Sequence, residues 1–314
     1  MKHSRLIVTL TLGRKYLETW KRLAEANWRK YANIHGYDLL CIDHPLDGSD
    51  RAKKRSPSWQ KCLILNQPFS QEYERIVWID SDILINTAHA PSIVEGVPLD
   101  KVGAVDAFSM PAREVCLQAV QRCYEYWAAR GGNIVADRPK DYHVNYGLPG
   151  FDHDHVVQCG VMVLSPRHHR DLLLKAYYEY EDKGGPEWHY EARPLSYELL
   201  KANVVHWIDH RFNQLWMFYK LLHYPFLINL WPDGGITTRI KRKLAALIGL
   251  RKQDLEAACA NVAFMNSYFL HFGASLDEME LVGTTINSWT QCRLPWDQAS
   301  NYKRPTSPQQ TKLD

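Results

Sequence analysis

The sequence predicts an α/β fold, with a mostly parallel central sheet and helices on both of its faces. Three observations carry that expectation. A strand, a helix of about 20 residues and a second strand open the chain between Arg5 and Ile42, and a connection of that kind joins parallel strands. A later apolar strand over residues 158–164 runs straight into another helix start. The 314 residues are 46% hydrophobic and 23% charged, ordinary globular usage, so the chain can bury a sizeable core and is neither disordered nor fibrous.

The elements follow in order. Residues 5–12 hold the β-branched and apolar run Leu6-Ile-Val-Thr-Leu10, which ends at Gly13. Leu17, Trp20, Leu23, Ala24, Trp28 and Tyr31 recur near a 3.6-residue period among Lys, Arg and Glu, so they mark an amphipathic helix that Gly36 closes. A second strand spans 37–42, a polar loop 43–57 and a helical stretch 58–68. Four apolar residues then run into Asp80. Val115, Ala119, Val120, Cys123, Tyr126 and Trp127 mark another helix, ended by Gly131-Gly132. Residues 133–155, rich in Gly, Pro, Asp and His, read as a long functional loop. Strand 158–164 leads into a helix with Ser165 at the cap and Pro166 at its first position. A helix over 195–203, a short strand over 204–208 and a last strand end at 269–273 complete the pattern. Residues 231–262 fit no α/β pairing and read as an insertion or lid, and 295–314 as a loose tail.

Several classes of partner are excluded at this level. A net charge of +3 is too small for a nucleic-acid partner, and the basic run Arg51, Lys53, Lys54, Arg55 is a short solvated loop. No segment reaches the roughly 20 apolar residues of a membrane span, and no signal-peptide pattern follows the first residues. Seven scattered cysteines without paired spacings point to reduced thiols, so the expectation is a cytoplasmic protein, free or peripheral to a membrane. The 11 Trp and 17 Tyr suit a core and a carbohydrate-stacking platform equally.

Asp80 and Asp82 carry the chemistry. On a strand, residues two apart point to one face, so the two carboxylates should converge. Like charges held together repel unless a cation lies between them or one takes a proton, and hard oxygen ligands suit Mg²⁺ or Mn²⁺. A capped turn with a solvated second Asp is the alternative.

The string Tyr73-Glu-Arg-Ile-Val-Trp-Ile-Asp-Ser-Asp-Ile-Leu-Ile85, preceded by Ser58-Trp-Gln-Lys61, resembles the D-x-D region of GT-A glycosyltransferases, in particular the glycogenin-like and lipopolysaccharide galactosyltransferase group and related Golgi α-glycosyltransferases. Gln158-Cys-Gly-Val-Met-Val-Leu-Ser165, His210-Arg-Phe-Asn213 and Leu270-His-Phe-Gly273 are similar to three further segments of those families, in the same order, so the resemblance spans residues 5–275. It implies a nucleotide-diphospho-sugar transferase, a single GT-A catalytic domain over residues 1–294. Such an enzyme moves a sugar from a nucleotide-sugar donor, UDP-linked by the same resemblance, to a carbohydrate or other hydroxyl-bearing acceptor, with retention of configuration.

The resemblance makes His271 the third metal ligand beside Asp80 and Asp82. It sets Thr9, Leu10 and Thr11 around the nucleoside, with Lys61 and Ser81 on base or phosphate. Gly160 lies under the sugar, Gly273 lets backbone approach the phosphates, and Gln158 lines the reacting centre. Glu191, matched by approximate alignment, stands near the anomeric carbon. Ala274-Ser-Leu-Asp277 departs from the family's lysine after H-F-x-G, which shifts diphosphate neutralisation toward Arg239 or Lys241. Asp152-His-Asp-His155 offers a second, competing set of ligands. Two other classes remain: a nucleotide-sugar or glycan-binding module without transfer, and a phosphatase of the haloacid dehalogenase type. The latter also has D-x-D after a strand, but near its N-terminus and without the apolar Ile83-Leu-Ile85 that follows here.

Overall fold

The computed structural model describes residues 4–129, 138–183, 190–229, 252–273 and 275–283, with 240, 243 and 244 between them. Its main sheet has six strands in the order β2-β1-β3-β6-β5-β7. β1 (Arg5–Leu10) pairs in parallel with β2 (Asp38–Ile42), Leu6 opposite Asp38, and with β3 (Arg75–Ile79), Arg5 opposite Arg75. β4 (Ile83–Ile85) leaves this sheet. β5 (Val102–Asp106) and β6 (Val157–Leu164) are antiparallel, as are β3 and β6, while β7 (Val205–Trp207) is parallel to β5. β6 therefore runs against the other five, and the sheet is mostly parallel as the sequence predicts. A second sheet has the order β4-β9-β8, with β8 at Gln214–Leu215 and β9 at Phe269–His271.

Alternation along the strands divides the core between the two faces. Ile7, Val77, Ile79, Val161 and Val163 pack on one side with Trp20, Trp28 and Phe269. Leu6, Val8, Ile76, Trp78, Met162 and Leu164 pack on the other with Trp59, Leu173, Tyr177 and Leu199.

The predicted first helix is two helices, α1 (Arg14–Leu23) and α2 (Glu25–His35), with the break at Ala24. Trp20 and Trp28 flank the break and pack edge to face at 5.7 Å. Gly36 caps α2 at φ 70°, the left-handed position that favours glycine. A short α3 (Asp50–Lys53) is capped by Ser49. The stretch expected to be helical at 58–68 is a 3₁₀ helix, Pro57–Asn66, in which Trp59 to Leu65 are all buried, so it lacks the one-sided pattern of a surface helix. α4 (Arg113–Ala128), α5 (Pro166–Glu179), α6 (Ala192–Lys201) and α7 (Trp216–His223) follow. The described part of 133–155 contains two 3₁₀ turns, Pro139–Asp141 and Val144–Tyr146. From 252 onward, the segment read as an insertion belongs to the helix Lys252–Met265, whose Ala260, Ala263 and Phe264 are buried in the core. Apart from 240, 243 and 244, the rest of it, with Arg239 and Lys241, and the tail at 295–314 lie outside the described residues. No helix among the described residues is long and apolar enough to cross a membrane.

At the start of α5, the Ser165 side chain makes no cap. Its N–H instead donates to Nδ1 of the fully buried His169 at 2.9 Å. Burial holds His169 at a pKa of about 4, below its usual 6.5, so below pH 6.5 the unfolded chain takes a proton that the folded chain refuses. This contribution is present above pH 6.5 and falls as pH drops toward 4. The loss from His169 alone is about 2 kcal/mol between pH 6.5 and 5. His143, also buried and also at about 4, adds a similar slope. His169→Asn keeps an acceptor for Ser165 and should reduce the pH dependence of urea unfolding between pH 6.5 and 5; an unchanged slope would exclude His169 as a source of it.

Candidate active site and metal centre

β3 is buried along its whole length and stops at Ile79. Asp80 and Asp82 therefore converge in the turn that leads to β4, and not by strand alternation as expected. The Asp80 N–H donates to Gly160 O at 2.8 Å, fixing the turn on β6. β4 and β9 pair antiparallel with Ile83 opposite His271, and Phe272 N–H donates to Asp82 O. That pairing brings His271 Nε2 to 3.2 Å from Asp82 Oδ1. One ligand atom each from Asp80, Asp82 and His271 lies within 4.8 Å of the others, the only such cluster among the described residues. Asp152-His-Asp-His155 does not form one; His155 Nδ1 is held by Asp106 Oδ2 at 2.6 Å.

The surrounding hydrogen bonds fit this cluster to a divalent cation. Gly160 N–H donates to Gln158 Oε1, which identifies that atom as the oxygen. Asn213 must therefore present Nδ2 to it, at 2.6 Å, and turns Oδ1 toward His271 Nδ1 at 2.8 Å. His271 thus carries its hydrogen on Nδ1 and aims Nε2 at the carboxylates, the arrangement that orients a metal-binding imidazole. An Nε2 lone pair facing Asp82 needs a positive charge there, either a proton or a cation. Burial lowers the His271 pKa, but the Asp82 carboxylate more than compensates and raises it. Burial pushes Asp82 up, and the charge of His271 and its hydrogen bond bring it below the usual carboxylate range. Asp80 is raised, chiefly by burial. Two carboxylates and an imidazole suit Mn²⁺ or Mg²⁺.

Lys61, on the 3₁₀ helix and only 4% exposed, bridges Asp80 Oδ1 at 3.1 Å and Glu191 Oε1 at 2.8 Å. Burial pulls its pKa down, and the two carboxylates outweigh that and raise it. Glu191, which precedes α6, is buried at 3% exposure beside the D-x-D turn and is held by Lys61. Lys61 is equally engaged, and it also lines the adjoining cavity.

These groups lie at one side of a cavity of about 690 Å³. Leu10, Ser81, Gln158, Gly160 and Gly273 also line it. Thr9 and Thr11 are buried and do not; the Thr11 hydroxyl bonds Ile42 O. Gly160 and Gly273 both make room for His271, since an added Cβ would meet its Cε1 at 2.7 Å and its Nε2 at 3.2 Å respectively. In Gly160→Ala we expect a loss of about 1–3 kcal/mol from overpacking, with Mn²⁺ affinity lower by about 10- to 100-fold. Wild-type Mn²⁺ affinity in that variant, read by isothermal titration, would dissociate the glycine from His271. Two participants escaped the sequence reading of the site. Asn213 sits in a motif without an assigned role, and Trp78, whose Nε1 donates to Asp80 Oδ1 at 2.8 Å, looks like one more apolar strand residue.

No family model matches the chain, and no curated protein matches it in sequence. Among solved structures it is similar to three glycosyltransferases. The first is an enzyme involved in glycosylation of the major capsid of PBCV-1, at 12% identity and TM-score 0.46 over 88% of this chain and 99% of that one. The second is the bifunctional WbbM in its apo form, at 11% and 0.47 over 91% and 51%. The third is the galactosyltransferase LgtC in complex with donor and acceptor sugar analogues, at 11% and 0.41 over 93% and 99%. At such identities and TM-scores the functional reading rests on the residues of this chain.

Proposed function

We propose that this chain is a metal-dependent GT-A glycosyltransferase that moves a sugar from a UDP-sugar to an acceptor hydroxyl with retention of configuration. The observation that supports it most is the convergence of Asp80, Asp82 and an Asn213-oriented His271 at the carboxyl end of β3, on the wall of a ligand-sized cavity. Asp80, Asp82 and His271 would hold a divalent cation there, which would supply positive charge to neutralise a departing diphosphate. Lys61, itself anchored by Glu191, holds Asp80 in place. Gln158, its oxygen engaged by Gly160 and Asn213, turns its NH₂ group, which has no partner among the described residues, to the sugar.

Retention is supported by the cavity wall. Its only carboxylates among the described residues are Asp80, Asp82 and Glu191, each already paired, so none of these three is a free base for deprotonating an acceptor as inversion requires. The leaving phosphate itself then accepts that proton. Thermal shift with a nucleotide-sugar panel tests the reading: a UDP-sugar should raise the melting temperature with Mn²⁺ and not with EDTA. Proton NMR of the first-formed product then reads the anomeric configuration. A β-linked product from an α-linked donor refutes retention, and phosphate release from 4-nitrophenyl phosphate points to a phosphatase instead.

A further inference from the structure

The charges of the cavity are segregated. Lys61, Asp80, Asp82, Glu191 and His271 all stand on the 3₁₀ helix, the β3–β4 turn, β9 and the start of α6, near the middle of the sheet. Beyond β5, toward α4 and α7, the wall is Phe108, Val120, Tyr124, Trp127, Met217 and Phe218. Among the described residues no Asp, Glu, Asn, Gln, Lys or Arg interrupts it, so its polar atoms are confined to the edges of Tyr124 and Trp127 and its faces are apolar. The wall is also built in advance: Arg122 of α4 donates to Leu221 O and Leu222 O of α7, locking the two helices together. We infer that the acceptor carries an apolar group, aryl or acyl, next to its reacting hydroxyl, and that this group packs on the α4–α7 wall. The inference rests on the transferase reading, which puts the donor on the charged side and leaves this side for the acceptor.

The test compares 4-nitrophenyl with methyl glycosides of glucose and galactose by isothermal titration on the full chain, with Mn²⁺-dependent UDP binding measured in parallel. The aryl glycosides should bind at least about tenfold more tightly, as burial of a phenyl ring implies. Trp127→Ala and Phe218→Ala should each remove most of that preference. Equal affinity for aryl and methyl glycosides overturns the inference, as does an aryl preference that both variants retain. A preference that disappears in the variants upholds the wall. If the wild-type protein binds no UDP with Mn²⁺, it is the transferase reading that falls.

Discussion

If the proposed metal centre is right, Asp80→Asn and Asp82→Asn should each lower transfer by about 10³-fold, because each removes a charged ligand of the cation that would neutralise the departing diphosphate. The fold should survive. Asp80 keeps its backbone bond to Gly160 and Asp82 its backbone bond from Phe272 whatever the side chain, and neither side chain belongs to the apolar core. The two variants should nonetheless differ. Asn at 82 withdraws the charge that raises the His271 pKa, whereas Asn at 80 leaves that pair intact and frees one arm of Lys61. Titration of Mn²⁺ with UDP, alongside circular dichroism, separates binding from folding. Transfer within tenfold of wild type in both variants, with unchanged Mn²⁺ binding, would sink the metal centre.

Lys61→Met is expected to cost about 3–5 kcal/mol of stability, the penalty for removing one partner of a buried ion pair and stranding the others. Glu191 is the more exposed to this effect in energetic terms, because its side chain is 4% accessible and Lys61 is its ion-pair partner, while Asp80 is 27% accessible and also accepts from Trp78. Lys61→Met with Glu191→Gln should therefore recover a large part of the loss, and the double-mutant cycle should show coupling of at least about 1 kcal/mol. Mn²⁺ should restore stability to Lys61→Met more than to wild type, since it replaces a positive charge beside Asp80. Additive losses, read by urea unfolding, would mean that the Lys61–Glu191 bridge contributes nothing measurable.

The parts of the molecule legible in sequence were those set by local pattern. β1, β3 and β6 announce themselves as apolar runs, because each is buried on both faces between helices, and Gly36 marks the end of α2 because its backbone is left-handed. Asp80 and Asp82 were legible by spacing, but for a reason the structure changes, a turn in place of a strand. The break at Ala24 leaves no trace, since Ala is the best helix former and Trp packing on both sides decides it. Lys61 and Glu191 looked like separate candidates, one for base or phosphate and one for the sugar. Only the tertiary fold shows that they hold each other. The glycines were legible as points of close approach, since a missing Cβ signals one, but the sequence does not say of what, and His271 is a neighbour of both.

The β4–β9 ladder joins residues far apart along the chain, and it is short, three residues on each strand. Asp82 immediately precedes one strand and His271 closes the other, so the donor set exists only while that ladder is zipped. Forming it requires closing a very long loop, a step that comes late because its entropy cost precedes any reward. Opening it would disperse the ligands in a single event, so in the proposed metal centre cation binding and the opening of this ladder are thermodynamically linked. The binding free energy of a cation there would act in turn as a clasp, holding an early turn and a late strand together.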